Sequence, residues 1–392
     1  MKDQRDTAAS RYRRATQIAR TGNDPAEFFG FVNPPVVHAS TVLFPDVETS
    51  FAGTQRYTYG RRGSPGVDAL CNVMNALEGS ESTILVPTGL VACTVPLAAV
   101  TKAGDRVLIV DNAYAPTRKF CDGFLTRFGV EVVYFDPLDV ETYARLLKSP
   151  TAAVFLEAPG SLTFEVPDVP LLAGMAKEVG ATVMLDNTWA TPLYFRPLDH
   201  GCDISMHAAT KYIAGHSDLL LGTISANGEA AEKVKKTWDE WGEHVGPDDV
   251  YLTYRGVKTL DVRLERHQRN ARIVAEWLAA DPRVHRVLYP ALPGAPGHEI
   301  WKRDFSGATG LFAITLKGDR ESAARVVDTL DLFGIGFSWG GFESLATLPM
   351  VQRVRTATTW PEDEQLIRLH IGLEDPQDLI EDLDRGLAAF AG

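Results

Sequence analysis

The sequence predicts an α/β fold: a mainly parallel central sheet covered on both faces, followed by a smaller C-terminal α/β domain. Two observations carry this expectation. Seven short apolar runs, at 82–87, 106–111, 130–136, 152–157, 182–187, 204–207 and 221–226, recur with intervals mostly long enough for a helix. Strand and helix in alternation imply crossover connections, and crossovers build parallel sheets buried on both sides. The second observation is scale. A chain of 392 residues, 45% hydrophobic and 23% charged, exceeds one ordinary core and fits two domains or one large domain with an appendage. The expected division is an arm at 1–62 that contacts a neighbouring subunit, a large domain at 63–255 and a smaller domain at 256–392.

Composition narrows the function classes. A formal net charge of −12 repels a phosphate backbone or an anionic membrane surface, so no nucleic-acid or membrane partner is expected. No apolar run reaches the length of a transmembrane helix. Cys71, Cys93, Cys121 and Cys202 are scattered, with no CxxC pair. They suggest neither a metal site nor a disulfide framework, and they fit a reducing cytoplasm. Arg5, Arg11, Arg13, Arg14 and Arg20 lack an apolar core beside them, so the N-terminus reads as a solvated, partly helical arm and not as a secretory signal.

Taken in order, the arm leads into a proline-punctuated stretch (Val32-Asn-Pro-Pro-Val36) suited to wrapping over another surface. It closes on Tyr57-Thr-Tyr-Gly-Arg-Arg-Gly63, where Arg61 and Arg62 beside glycines can hold an anion or remain solvated. A helical pattern at 67–77 stops at Gly79. In open α/β sheets ligands bind beyond the carboxyl ends of the strands, so the residues after each run carry the functional reading. Pro87-Thr-Gly-Leu-Val91 offers Gly89 and Leu90 at a helix N-terminus, a seat for phosphate. Asp111-Asn-Ala-Tyr114 brings an aromatic ring to the same rim, and Glu157-Ala-Pro-Gly-Ser161 a turn of small polar groups. Asp186 ends the hydrophobic strand Val183-Met-Leu185, where a carboxylate is costly unless a cation meets it. Thr210 and Lys211 follow the next run among small residues, so the ammonium is partly desolvated and poised as a nucleophile.

Each of these has a plainer alternative: Tyr114 in the core, Asp186 as a helix cap, Thr210 in a turn, Lys211 as a structural lysine. Their conjunction supplies what pyridoxal 5′-phosphate chemistry needs, namely a Schiff-base lysine, an acid for the pyridinium nitrogen, a stacking ring and a phosphate seat. The second domain reads as a helix at 262–280, a strand at 284–289, a loop at 290–297, a strand at 311–316, a helix at 321–330 and a strand at 366–371. A terminal helix at 376–390 follows, with Leu379, Leu383 and Leu387 on its core face. Phe337-Ser-Trp-Gly-Gly341 and Arg368-Leu-His-Ile-Gly372 stand out in it. An arginine inside an apolar strand needs a carboxylate, either a substrate's or a structural partner's.

From about Thr21 to its end the chain resembles the cystathionine γ-synthase-like enzymes of cysteine and methionine metabolism. The resemblance rests on Tyr59-Gly-Arg61, Asp186-Asn-Thr-Trp189, Thr210-Lys-Tyr212, Gly215-His-Ser-Asp218 and Arg368-Leu-His-Ile-Gly-Leu-Glu374. Tyr59-Gly-Arg-Arg-Gly63, Glu157-Ala-Pro-Gly-Ser161, Ala208-Ala-Thr-Lys211, Pro290-Ala-Leu-Pro-Gly294, Trp301-Lys-Arg-Asp-Phe305 and Ser338-Trp-Gly-Gly341 are similar to its β-eliminating branch. The resemblance implies the aspartate-aminotransferase-like arrangement (fold type I) and pyridoxal phosphate on Lys211. It implies that Asp186 faces the ring nitrogen, that Tyr114 stacks on the ring and assists catalysis, and that Gly89, Leu90 and Thr210 hold the phosphate. Tyr59 and Arg61 would reach the phosphate of a neighbouring subunit in a homotetramer built as a dimer of dimers. Arg368, Ser338, Trp339, Tyr59 and Arg62 would contact an amino-acid substrate. The implied reaction is β-elimination of L-cystathionine to homocysteine, pyruvate and ammonia. A γ-lyase, a broader cysteine-conjugate or cystine lyase and a non-catalytic cofactor-binding protein stand as alternatives. Three departures matter: Ala208 replaces a serine common in the family, Phe337 replaces the glutamate of γ-eliminating members, and Thr58 replaces an aromatic of the bacterial β-eliminating branch.

Overall fold

The computed structural model describes residues 12–390; Arg5 and Arg11 lie outside them. The first helix, Arg14–Arg20, buries Ile18 and returns the arm to the body of the chain. The helix Pro65–Glu78 begins at Ser64, whose hydroxyl accepts from the Val67 N–H at 3.4 Å, and ends at Gly79 with φ 70°. A left-handed residue at that position closes a helix at little cost only if it is glycine.

Each of the seven apolar runs is a strand. They are β1 (Ser82–Val86), β2 (Arg106–Val110), β3 (Glu131–Phe135), β4 (Ala153–Glu157), β5 (Thr182–Asp186), β6 (Ile204–Ala208) and β7 (Gly222–Ala226). Their order in the sheet is β1-β7-β6-β5-β4-β2-β3. All neighbours are parallel except β7, which runs antiparallel to both β1 and β6. The reason is the connection: 209–221 contains turns but no regular helix, so the chain doubles back without crossing over. β1 therefore still runs parallel to β6, and the carboxyl ends of β1, β2, β4, β5 and β6 meet at one edge. Ala153, Val154, Phe155 and Leu156 of β4 and Val183, Met184 and Leu185 of β5 are fully buried. Such strands, covered on both faces, need no polar alternation, which is why they stand out as continuous apolar runs.

The C-terminal part forms a second sheet of the strands β8 (Arg286–Leu288), β9 (Leu311–Lys317), β10 (Gly334–Ile335), β11 (Leu345–Thr347) and β12 (Glu364–His370). Their order is β10-β11-β12-β9-β8. The helices Leu260–Ala280 and Pro376–Ala388 pack against each other over it, with Leu379, Leu383 and Leu387 buried as a stripe. The helix Pro247–Val257 runs across the expected domain junction at 255/256. Among the described residues no helix is long and apolar enough to cross a membrane.

Candidate active site

The strand ends converge on a cavity of about 270 Å³ whose walls include Gly89, Tyr114, Asp186, Thr210, Lys211 and Arg368. Asp186 is the last residue of β5 and is 9% exposed. Its Oδ1 accepts from the Thr188 N–H at 3.0 Å and from the Thr188 hydroxyl at 2.5 Å. Thr188 Oγ1 in turn accepts from the Ala208 N–H at 2.9 Å, which ties β5 to the segment carrying the lysine. Among the described residues Oδ2 meets only the Cys93 thiol, at 3.4 Å. One carboxylate oxygen is thus fixed by the protein, and the other is held loosely toward the cavity.

Register places Glu157, the end of β4, beside Asp186. Burial and the neighbouring Asp186 charge push the Glu157 carboxyl well above the usual range. It accepts the Tyr114 N–H at 2.7 Å, which fixes the start of the helix Ala115–Phe120. The Tyr114 ring is half exposed on the cavity wall. Burial first, then the Glu157 charge, raises its phenol above the usual value.

Lys211 lies one turn past β6. Its Nζ donates to Ser338 Oγ at 2.8 Å and sits 5.4 Å from the Trp339 ring centroid. Burial, helped by the Arg368 charge, lowers its pKa to about 8, against the opposing pull of Asp186. A lysine whose closest partner is a neutral hydroxyl, and which releases its proton near neutrality, is suited to attack a carbonyl. Its backbone is packed tightly. A Cβ on Gly340, whose φ is 88°, would lie 2.8 Å from Tyr212 N and 3.1 Å from Lys211 Cα, so only glycine fits there. The Gly340 N–H is within 3.1 Å of His370 Nε2, and Tyr212, His267, His370 and Trp339 form a ring cluster behind the lysine. Burial lowers His267 to about 4 and His370 well below its ordinary value, so this backing is uncharged at neutral pH.

Arg368, on β12, donates to the carbonyls of Phe337 (2.9 Å) and Ser338 (3.4 Å). Among the described residues no carboxylate pairs with it, which removes the structural ion pair that the sequence left open. Burial lowers its pKa to about 10, with Tyr114 opposing. A guanidinium facing a cavity with only carbonyl partners calls for an anionic ligand.

Gly89 and Leu90 begin the helix Gly89–Val100, capped by Thr88, whose hydroxyl accepts from the Val91 N–H at 3.2 Å. A Cβ on Gly89 would stand 2.3 Å from Ala208 Cβ. The bare backbone lets the helix N-terminus close onto the end of β6, and Ala208 leaves the room that a larger residue would take. Thr210 lines the same wall, but its hydroxyl is engaged with Leu221, donating to the carbonyl at 3.2 Å and accepting the N–H at 3.0 Å.

Tyr59, Arg61 and Arg62 are not on this cavity's walls. Tyr59 is half exposed and bridges to Thr41. Arg61 pairs with Asp239 at 2.7 Å and Arg62 lies 3.6 Å from the same carboxylate. Sequence reasoning missed Cys93, Thr188 and the coupling of Glu157 to Asp186. Thr188 and Glu157 were visible at strand ends, whereas Cys93 gave no signal beyond lying one turn into a helix.

The donor set fits pyridoxal phosphate on this chain's own geometry: a low-pKa lysine, a carboxylate oxygen free of protein cations, and a helix N-terminus opened by Gly89. Comparison with known proteins agrees. Residues 15–388 match the family described as Cys/Met metabolism PLP-dependent enzyme. A relative from Rhizobium johnstonii named putative cystathionine β-lyase is 52% identical over 95% of this chain and 96% of its own. One from Wolbachia pipientis named L-alanine/L-glutamate racemase is 40% identical over 95% of this chain and 96% of its own. The cystathionine β-lyase of Escherichia coli is 41% identical over 95% and 98% respectively.

Proposed function

We propose that this chain, which belongs to the family of Cys/Met metabolism PLP-dependent enzymes, is a carbon–sulfur lyase that cleaves L-cystathionine by β-elimination to homocysteine, pyruvate and ammonia. The fold is type I, aspartate-aminotransferase-like, and the cofactor is pyridoxal 5′-phosphate. The observation that carries the reading is that Lys211, Asp186 and an Arg368 without a carboxylate partner open into one cavity.

When bound, the cofactor supplies an electron sink for charge developing at Cα. The chain's residues do the rest. Arg368 seats the substrate α-carboxylate, with Ser338 and Trp339 beside it. Lys211, neutral in part near pH 8, takes the Cα proton. Asp186 would hold a proton on the pyridine nitrogen, its carboxylate oriented by Thr188 and Cys93. Tyr114 would stack on the ring and take a proton from the incoming amine. Gly89 and Leu90 offer N–H groups to the phosphate, with Thr210 adjacent. Expulsion of the thiolate then needs one proton for sulfur, which the protonated Lys211 can return.

Phe337 favours β-elimination over γ-elimination. It is 95% exposed at the cavity mouth and offers no carboxylate to remove the Cβ proton that γ-elimination also requires. Racemisation, in the name of one relative, shares only the Cα step. Incubation with L-cystathionine and identification of the products tests the reading: pyruvate and homocysteine are expected in equal amounts. Mainly 2-oxobutyrate, or inversion of L-alanine without any oxoacid from cystathionine, would overturn it.

The reading extends to assembly. Tyr59, Arg61 and Arg62 serve the site of a neighbouring subunit, the arm at 1–62 wraps that neighbour, and the assembly is a homotetramer in the cytoplasm. The exposed apolar side chains of the arm, Phe29, Leu43 and Phe51 among them, support its contact with a neighbour. The division at 63–255 and 256–392 assigns cofactor binding to the large domain and Arg368 to the smaller one.

A further inference from the structure

Behind the loop 160–165 lies a second cavity, of about 410 Å³. Thr163 and Glu165 come to it from the large sheet's side, and Arg286, Arg355, Thr358 and Trp360 from the C-terminal part. The loop is a shared wall. Ser161, Leu162 and Phe164 face the Lys211 cavity, whereas Thr163 and Glu165 face the second one. Leu162 (φ 71°) and Phe164 (φ 58°) are in the left-handed region, which non-glycine residues adopt only when their surroundings hold them there.

Arg355 does the holding. Its Nη2 donates to the Ser161 carbonyl at 2.6 Å and to Thr163 Oγ1 at 2.9 Å, and its Nη1 to the Val354 carbonyl at 3.2 Å. A guanidinium has about five N–H groups, so those three bonds leave two without a protein partner. The side chain is 9% exposed, and among the described residues no carboxylate lies within ion-pair distance. The cavity's acids are engaged elsewhere. Glu364 accepts from Arg286 at 2.7 Å, and Glu165 accepts from Thr163 Oγ1 at 2.6 Å and Asn112 Nδ2 at 3.2 Å. Burial lowers the Arg355 pKa, with Glu165 and Asp111 opposing from a distance. The arrangement resembles that of Arg368, which is half-buried: a guanidinium that faces a cavity and meets carbonyls where an anion would compensate it, here with the side chain buried.

We propose that this cavity is a second binding site, for a small organic carboxylate that pairs with Arg355, and that its occupancy reaches the catalytic cavity through the loop 160–165. The carboxylate accepts one of the two unplaced N–H groups, compensates the guanidinium charge and so fixes the Ser161 carbonyl and the strained turn beside it. Linkage requires the reverse as well: substrate in the first cavity tightens carboxylate in the second. A cavity between two packed units is a common place for such a ligand. The proposal holds whichever sulfur substrate the enzyme prefers.

The test uses the holoenzyme with sodium acetate and inorganic phosphate as probes, read by thermal shift, in an Arg368→Gln background that silences carboxylate binding at the catalytic cavity. Saturable stabilisation by acetate is expected to persist there. Adding Arg355→Lys is expected to weaken it about tenfold or more, because one ammonium cannot hold Ser161 and Thr163 and reach the carboxylate together. Thr359→Trp, at an exposed rim position, fills the cavity without altering Arg355 and is expected to do the same. It decides the matter alone if Arg355→Lys fails to fold. With Arg368 intact, acetate also competes with the substrate carboxylate, and it is expected to raise the KM for cystathionine less in the parent than in Thr359→Trp. Absence of saturable binding in the Arg368→Gln background overturns the proposal, as does unchanged acetate binding in Thr359→Trp. Preference for phosphate at the Arg355-dependent site overturns the carboxylate assignment.

Discussion

At the scale of the residue, the chemistry rests on what surrounds one amine. Among the described residues Lys211 has no carboxylate partner; Ser338 takes its hydrogen bond, burial and Arg368 lower its pKa to about 8, and Asp186 pulls the other way. For a base whose folded pKa is depressed, the neutral form is minor well below pH 8 and dominant above it. The rate at which the ligand-free protein captures added pyridoxal phosphate should therefore rise with pH, half-maximal near pH 8, and level off above it. Stopped-flow absorbance of the resulting Schiff base measures this; a rate still climbing toward pH 10 would mean that the lysine is not desolvated as described. This lysine stood out as a candidate in the sequence because a family motif and a strand end coincide at 210–212. The Cys93 contact to Asp186 was not legible, because it joins residues whose proximity depends on how the helix Gly89–Val100 lies across the end of β5. The same holds for Glu157 and Asp186, neighbours only through the β4–β5 register.

At the scale of the element, periodicity revealed what is long and apolar and missed what is short or set by connection. β10 and β11 have two and three residues, too few to show an alternation. The reversal of β7 is decided by the missing helix at 209–221, where glycine, histidine and serine replace a helical pattern. Least legible of all was the junction between the sheets, which centres on Asp111 at the end of β2. Its fully buried carboxylate accepts from Arg118 (2.9 Å), from the Thr356 N–H (2.9 Å) and from the N–H and hydroxyl of Thr358 (2.9 and 2.6 Å). Burial works to raise its pKa, but the bonds from Thr358 and Thr356 and the Arg118 charge prevail and hold it below the usual carboxylate value. Its contribution to stability is therefore present above the unfolded value of 3.8 and lost only as the pH falls through the lower folded one. Asp111→Ala leaves Arg118 buried beside an empty place and releases the segment 355–358. A loss of about 3–5 kcal/mol in urea unfolding is expected, and a loss under about 1 kcal/mol, the worth of a surface pair, would show that the staple is not structural.

At the scale of the whole molecule, one chain holds two incomplete halves of a design. Its cavity has an amine, an acid, a helix N-terminus and a guanidinium. Tyr59, Arg61 and Arg62, the turn proposed to bind an anion, lie outside that cavity, where Arg61 pairs with Asp239 on the helix Gly228–Trp241. The arm before that turn exposes Phe29 at 92%, Leu43 at 84% and Phe51 at 87%, and apolar side chains grouped on one segment find cover in an assembly. If the turn completes a neighbour's site, two inactive variants should rescue each other. Lys211→Ala keeps Arg61 and loses the amine, and Arg61→Ala keeps the amine and loses the arginine. Unfolded together and refolded, they pair at random, half of the dimers are hybrids, and each hybrid holds one intact site of two. About a quarter of parental activity should return in the equimolar mixture, since a symmetric pair exchanges the same contacts in both directions. If Arg61 served its own chain, no hybrid would contain a complete site, and the mixture would show no more activity than the two variants refolded apart.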